Sequence, residues 1–132
     1  MQVIEYADAE HAVIDYLDPL MDGKVDIWFP KSSTETPPSL PFTQVGWDGS
    51  PGSAVNSETA TVRVTCWTAK GHYSDAKANA ATARGHLLAH PGDARVWRVD
   101  PGTGRLPGTD PDTGLPFCTF TVAVSLRPVA IS

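Results

Sequence analysis

From Glu58 to Trp67 small apolar and polar residues alternate one for one. Ala60, Val62, Val64 and Cys66 form one set, and Thr59, Thr61, Arg63, Thr65 and Trp67 the other. A period of two predicts a strand with two unlike faces. Lys70 and Gly71 break it, and from Ser74 to His90 the period lengthens to three and four. There Ala76, Ala80, Ala83 and Leu87 fall on one side of a helix. Ser74 can cap this helix, and Asp75 suits the positive end of its dipole. His90, Pro91 and Gly92 stop it. An alanine face lets a helix lie close on a sheet, so this strand and helix predict the unit that the other segments complete.

Those segments read as follows. Asp8 caps a first helix, Ala9 to Leu20, with Ala9, Val13, Tyr16, Leu17 and Leu20 as its apolar stripe and Pro19 in its last turn. After the Asp22-Gly23 turn, Val25, Ile27 and Phe29 mark a short strand that Pro30 ends. Lys31 to Pro41 is a polar, proline-rich loop, Phe42 to Trp47 a second strand, and Asp48 to Ser57 a flexible connection. Ala94 to Val99 is a strand with apolar residues on both faces, so its inward side stays open. Asp100 to Pro116 is a long loop. Phe117 to Arg127 is a strand with Cys118, Phe120, Val122, Val124 and Leu126 on one face, and Pro128 ends it.

The order α-β-β-β-α-β-β predicts an α+β, two-layer domain spanning residues 1–132. About five mostly antiparallel strands carry two helices on one face. A chain of 132 residues can bury roughly two thirds of its extended surface, enough for a core without staples. Its net charge of −5 leaves no broad basic surface for nucleic acid. Cys66 and Cys118 sit on apolar strand faces and read as buried, reduced thiols of a cytosolic product. No signal peptide, lipidation motif or membrane span is expected.

The second face of the sheet is the most informative feature. It carries Thr59, Thr61, Arg63, Thr65 and Trp67 from the central strand and Thr119, Thr121, Ala123 and Ser125 from the last. A face left in water usually carries Lys and Glu. Trp and Arg are interface anchors. Two coverings fit: a neighbouring protein chain, or the proline-rich loops folded back.

Catalytic and metal signals are sparse. His86 and His90 have the four-residue spacing of a zinc pair, but no glutamate base lies between them, and two solvated histidines near a helix C-terminus is the plainer reading. Asp100-Pro-Gly-Thr-Gly104 and Asp110-Pro-Asp-Thr-Gly114 are a near-repeat. The second holds half of a calcium loop without its distal glutamate, and both are good turn chemistry. With Arg105 and Leu106 between the turns, this segment predicts an arm projecting from the sheet. No nucleophile elbow, phosphate loop or dinucleotide fingerprint occurs. The expectation is no enzyme and no cofactor.

In the order and texture of its segments the chain resembles the tail terminator (tail completion) proteins of long-tailed bacteriophages, particularly those of actinobacteria. The resemblance rests on the capped helix Asp8 to Leu17, Pro41-Phe-Thr-Gln-Val-Gly46, Thr61-Val-Arg-Val-Thr-Cys-Trp67, the alanine-rich Asp75 to Arg84, and Pro116 to Val124. In the family the segment after the proline loop is often more basic, whereas Gln44 and Trp47 stand there in this chain. The resemblance implies a non-enzymatic virion protein that caps the tail tube as a ring, hexameric in that family's manner, and ends tube polymerisation. It would join the tail to the neck or head-completion proteins, with DNA passing through the lumen without sequence-specific binding. It would assemble in host cytoplasm and reside in the virion. Thr61, Arg63, Thr65, Trp67, Thr119 and Thr121, with Arg105 and Leu106 on the arm, are the expected interface. Another neck component, such as a head–tail connector, is the alternative, and a small hydrolase or metal-binding enzyme the more distant one.

Overall fold

The computed structural model describes residues 3–49 and 58–131. It has a mixed α+β fold in which both helices cover one side of a mostly antiparallel sheet. The elements are β1 (Val3–Tyr6), α1 (Ala9–Leu17), a 3-10 turn (Asp18–Leu20), β2 (Lys24–Asp26), β3 (Phe42–Gly49), β4 (Glu58–Trp67), α2 (Tyr73–Leu88), β5 (Val96–Pro101), β6 (Leu106–Thr109), β7 (Pro116–Leu126) and β8 (Pro128–Ile131). The main sheet has six strands in the order β2-β3-β4-β7-β5, with β6 also on β7. Among the described strands only β2 and β3 pair in parallel.

The alternation in β4 and β7 places both strands. They pair residue for residue from Glu58 opposite Leu126 to Trp67 opposite Phe117. Ala60, Val62, Val64 and Cys66 therefore meet Val124, Val122, Phe120 and Cys118 on one face, and all are buried. Ala76, Ala80, Ala83 and Leu87 of α2 close over them without measurable exposure. Three alanines in that row let the helix backbone lie near the sheet, and the small residues of β4 fit beneath it. From α1, Ala9, Ala12, Val13 and Leu17 complete the core.

Helix boundaries follow local chemistry with two corrections. The Asp8 carboxylate accepts the His11 amide at 3.1 Å, the expected N-cap. The chain tightens to a 3-10 turn at Asp18-Pro19, and Leu20, expected in the apolar stripe, is exposed. In α2 the helix starts at Tyr73, with His72 rather than Ser74 at the cap position. The His72 imidazole pairs with Asp75 at 2.9 Å instead.

Three strands lie where none is expected. β1 and β8 join the two ends of the chain as an antiparallel pair, Tyr6 opposite Pro128 and Val3 opposite Ile131. Pro128 thus ends β7 and opens the next strand. β6 replaces the expected arm: Leu106 to Thr109 lies beside β7, with Leu106 opposite Thr119 and Thr109 opposite Pro116. Pro107 is tolerated because an edge strand has one side free of ladder bonds. β2 is shorter than expected, ending at Asp26 rather than Phe29. The connection expected from Asp48 to Ser57 begins later, since β3 runs to Gly49, and residues 50–57 lie outside those described.

The open question about β5 is settled by a bulge. Register shifts between Val96 and Arg98, so Val96 and Val99 both turn toward the core while Trp97 stays exposed.

Candidate interaction face

Opposite the helices, the sheet presents the polar set of both long strands. Across β4 and β7, Thr61 faces Ala123, Arg63 faces Thr121, Thr65 faces Thr119 and Trp67 faces Phe117. β3 adds Gln44 beside Thr65 and Gly46 beside Arg63. β6 adds Leu106 beside Thr119, and β5 adds Asp100 beside Ala123. The six expected residues of β4 and β7 therefore share one surface, and Leu106 joins them with 53% of its area exposed. Arg105 does not. It lines a small opening with Lys77 and Cys118 on the helix-covered side.

Three hydroxyls of this face are already engaged. Thr65 and Thr119 share a hydrogen bond at 3.0 Å, and the Thr119 hydroxyl also reaches the Val64 carbonyl at 3.2 Å. The Thr121 hydroxyl accepts the Thr103 amide at 2.7 Å. Arg63 lies across the sheet: its guanidinium bonds Asp48 at 3.1 and 3.0 Å and Thr119 at 3.4 Å. Its charge is thus balanced from the neighbouring strand. At the rim, Arg98 holds Asp100 through two bonds of 2.8 and 3.0 Å, and these bonds push its pKa further up.

One end of the face is covered by the chain itself. After β2 the backbone turns, and the Trp28 ring stands edge-on to Trp67 (5.9 Å, 85°) and Phe42 (6.3 Å, 70°). Phe117 packs on the other side of Trp67 at 5.3 Å. The Trp67 indole N–H donates to Gln44 Oε1, and the Gln44 amide donates to the Trp28 carbonyl, both at 2.9 Å. The segment just before the proline-rich loop thus covers the aromatic row through Trp28. Farther along, Thr65 and Thr121 are buried as well, Thr121 beside Gly102 and Thr103, while Thr61, Arg63 and Thr119 are half-buried. Trp28, Phe42, Gln44 and Asp48 were not legible as parts of this surface. Phe42 and Gln44 alternate with Thr43 and Val45, which is a signal; Trp28 sits in an irregular stretch and gave none.

The other candidate chemistries resolve into structure. His90 is buried, its ring 4.2 Å from that of Tyr16, and its Nδ1 accepts the Gly92 amide at 2.8 Å. It is not the solvated histidine expected. The Tyr16 hydroxyl donates to the His86 carbonyl at 3.0 Å, so this corner ties α1 to the end of α2. Among the described residues no group of three His, Cys, Asp or Glu side chains gathers as a metal site would require. Asp110 to Gly114 is a turn, with Gly114 donating to the Asp110 carbonyl and Thr113 to its carboxylate. The first half of the near-repeat is not a matching turn: Asp100 and Pro101 belong to β5, and Gly102 continues along Thr121.

Beneath the face, Cys66 and Cys118 stand directly opposite each other as free, buried thiols. Burial pushes the Cys66 thiol up to about 12. It raises Cys118 too, with Arg105 and Lys77 pulling the other way. No described helix is long and apolar enough to cross a membrane. Comparison with protein-family models finds no matching family, and comparison with curated proteins finds no matching sequence. The functional reading rests on the chemistry of the face.

Proposed function

We propose that this chain is a structural, non-enzymatic protein whose neutral sheet face is buried by a neighbouring chain. In the reading that the tail-terminator resemblance favours, copies form a ring on the head-proximal end of a phage tail tube. The ring stops tube growth and receives the neck, and DNA passes through its lumen. A ring needs heterologous contacts, one surface of a subunit docking on a different surface of the next.

The observation that carries this reading is the internal satisfaction of the face. Covering an unpaired hydroxyl or charge costs free energy, whereas covering one that already has its partner costs little. Thr65 and Thr119 bond within the sheet, Thr121 accepts the Thr103 amide of the loop after β5, and Arg63 has Asp48. A partner can cover Arg63 and Thr119, which remain half-buried, without leaving orphaned groups, and Leu106 offers it apolar area. The net charge of −5 suits a conduit that DNA must traverse without sticking.

Light scattering coupled to size-exclusion chromatography, with and without isolated tail tubes, tests the proposal. A closed ring in solution, or a ring seen by electron microscopy at the tube end, is the expected result. Leu106→Asp and Thr61→Glu lie at half-open positions and should abolish assembly while keeping the fold. A wild-type chain that stays monomeric at high concentration and leaves tubes uncapped overturns the reading. A position elsewhere in the neck would favour a connector.

A further inference from the structure

The proline-rich loop and the β6–β7 turn border an open pocket at the aromatic end of the face. Its volume is about 230 Å³, and Trp28, Trp67 and Gln44 line it together with Glu35, Asp110 and Asp112. The two indoles stand at 85°, forming a corner with two aromatic walls. The hydrogen bond from the Trp67 N–H to Gln44 fixes that ring. No Lys or Arg lines the pocket. Among the described residues none of the three carboxylates takes part in an ion pair. Glu35 accepts only the Lys31 amide, and Asp110 the Thr113 hydroxyl.

We propose that this pocket receives an arginine side chain of a partner protein. Aromatic faces attract a cation through their quadrupoles, and the planar guanidinium both stacks on indole and bonds carboxylates through two N–H groups. Three carboxylates outside any ion pair, lining one pocket with two tryptophans, are complementary to such a group and repel an acidic one. Of the chain's own arginines, Arg63, Arg95 and Arg98 are paired elsewhere, with Asp48, Asp15 and Asp100. The pocket adjoins the neutral face through Trp67 and Gln44, yet its charge selectivity does not depend on which assembly the face makes.

The test is a titration of the intact chain with N-acetyl-arginine amide, read at the indole N–H resonances of Trp28 and Trp67. Saturable shifts at both, weakening as salt rises, are expected. The double variant Glu35→Gln, Asp112→Asn keeps the hydrogen-bond acceptor for the Lys31 amide and should weaken binding about tenfold. Trp28→Leu, checked for an unchanged fold by its remaining spectrum, should abolish the shift at Trp67. Equal shifts with N-acetyl-leucine amide, shifts only with calcium or tetramethylammonium, or no saturable shift at all would sink the proposal. Rings that assemble while the titration fails would remove the arginine site alone, and a working titration in a permanent monomer would remove the ring alone.

Discussion

Thr65 and Thr119 face each other across the two central strands and share one hydroxyl hydrogen bond of 3.0 Å on the side of the sheet away from the helices. Thr65 is 8% exposed and bonds no other described side chain, so its hydroxyl depends on Thr119. Thr119→Val should therefore cost about 1–2 kcal/mol, because it orphans a buried group. Adding Thr65→Val should recover part of that loss, since removing both partners leaves nothing unsatisfied. Urea unfolding of the single and double variants measures the coupling. Strict additivity would mean that Thr65 finds another partner.

The Cys66 thiol is held protonated by burial, at about 12 against an ordinary value of 9.0. In the unfolded chain it ionises at the ordinary value, so above that pH the folded state binds more protons than the unfolded one. Stability from this group is thus complete below about pH 9 and is lost as pH rises toward the folded value. The slope should approach roughly 1 kcal/mol per pH unit. Cys66→Ala should lack that component of the alkaline decline in urea unfolding. In the native protein Cys66 should also resist thiol reagents that label it once unfolded.

Asp8 begins α1 by accepting the His11 amide, and its side chain also meets the His11 ring at 3.0 Å. Slight burial raises its pKa, but the His11 contacts lower it further, and the net shift is downward. The ionised cap therefore stabilises the fold above the unfolded pKa, and its contribution disappears as pH falls through the lowered value. Asp8→Ala should cost about 1 kcal/mol near neutrality, and the gap to wild type should close below about pH 4. Thermal unfolding at several pH values checks both.

Gly23 turns the chain into β2 with φ of +78°, and a Cβ there would collide with the Pro41 carbonyl. Gly23→Ala should cost more than about 2 kcal/mol, combining left-handed backbone strain with that clash. The displaced segment leads directly to Trp28, so reduced contrast between the Trp28 and Trp67 indole resonances should accompany the loss. An unchanged melting temperature would show that the turn has room to relax.

Tyr16→Phe should lower stability by about 1 kcal/mol by removing the bond to the His86 carbonyl. Amide exchange at the C-terminal turn of α2 should quicken in the variant and not elsewhere.

The alternation from Glu58 to Trp67 and the alanine row of α2 were enough to determine the two-layer α+β design and which face the helices cover, because periodicity encodes a direction relative to water that no distant residue needs to supply. The same rule collected Thr61, Arg63, Thr65, Thr119 and Thr121 on one surface. Other features depended on partners far along the chain. β1 and β8 are four-residue pieces whose pairing joins opposite ends of the sequence, and β6 contains a proline and a glycine that argue locally against a strand. The bulge at Trp97, the Trp28 cover and the charges gathered around it were likewise decided only by folding. Short segments carry too little local preference to specify themselves, so the backbone groups and rings they happen to meet make the choice.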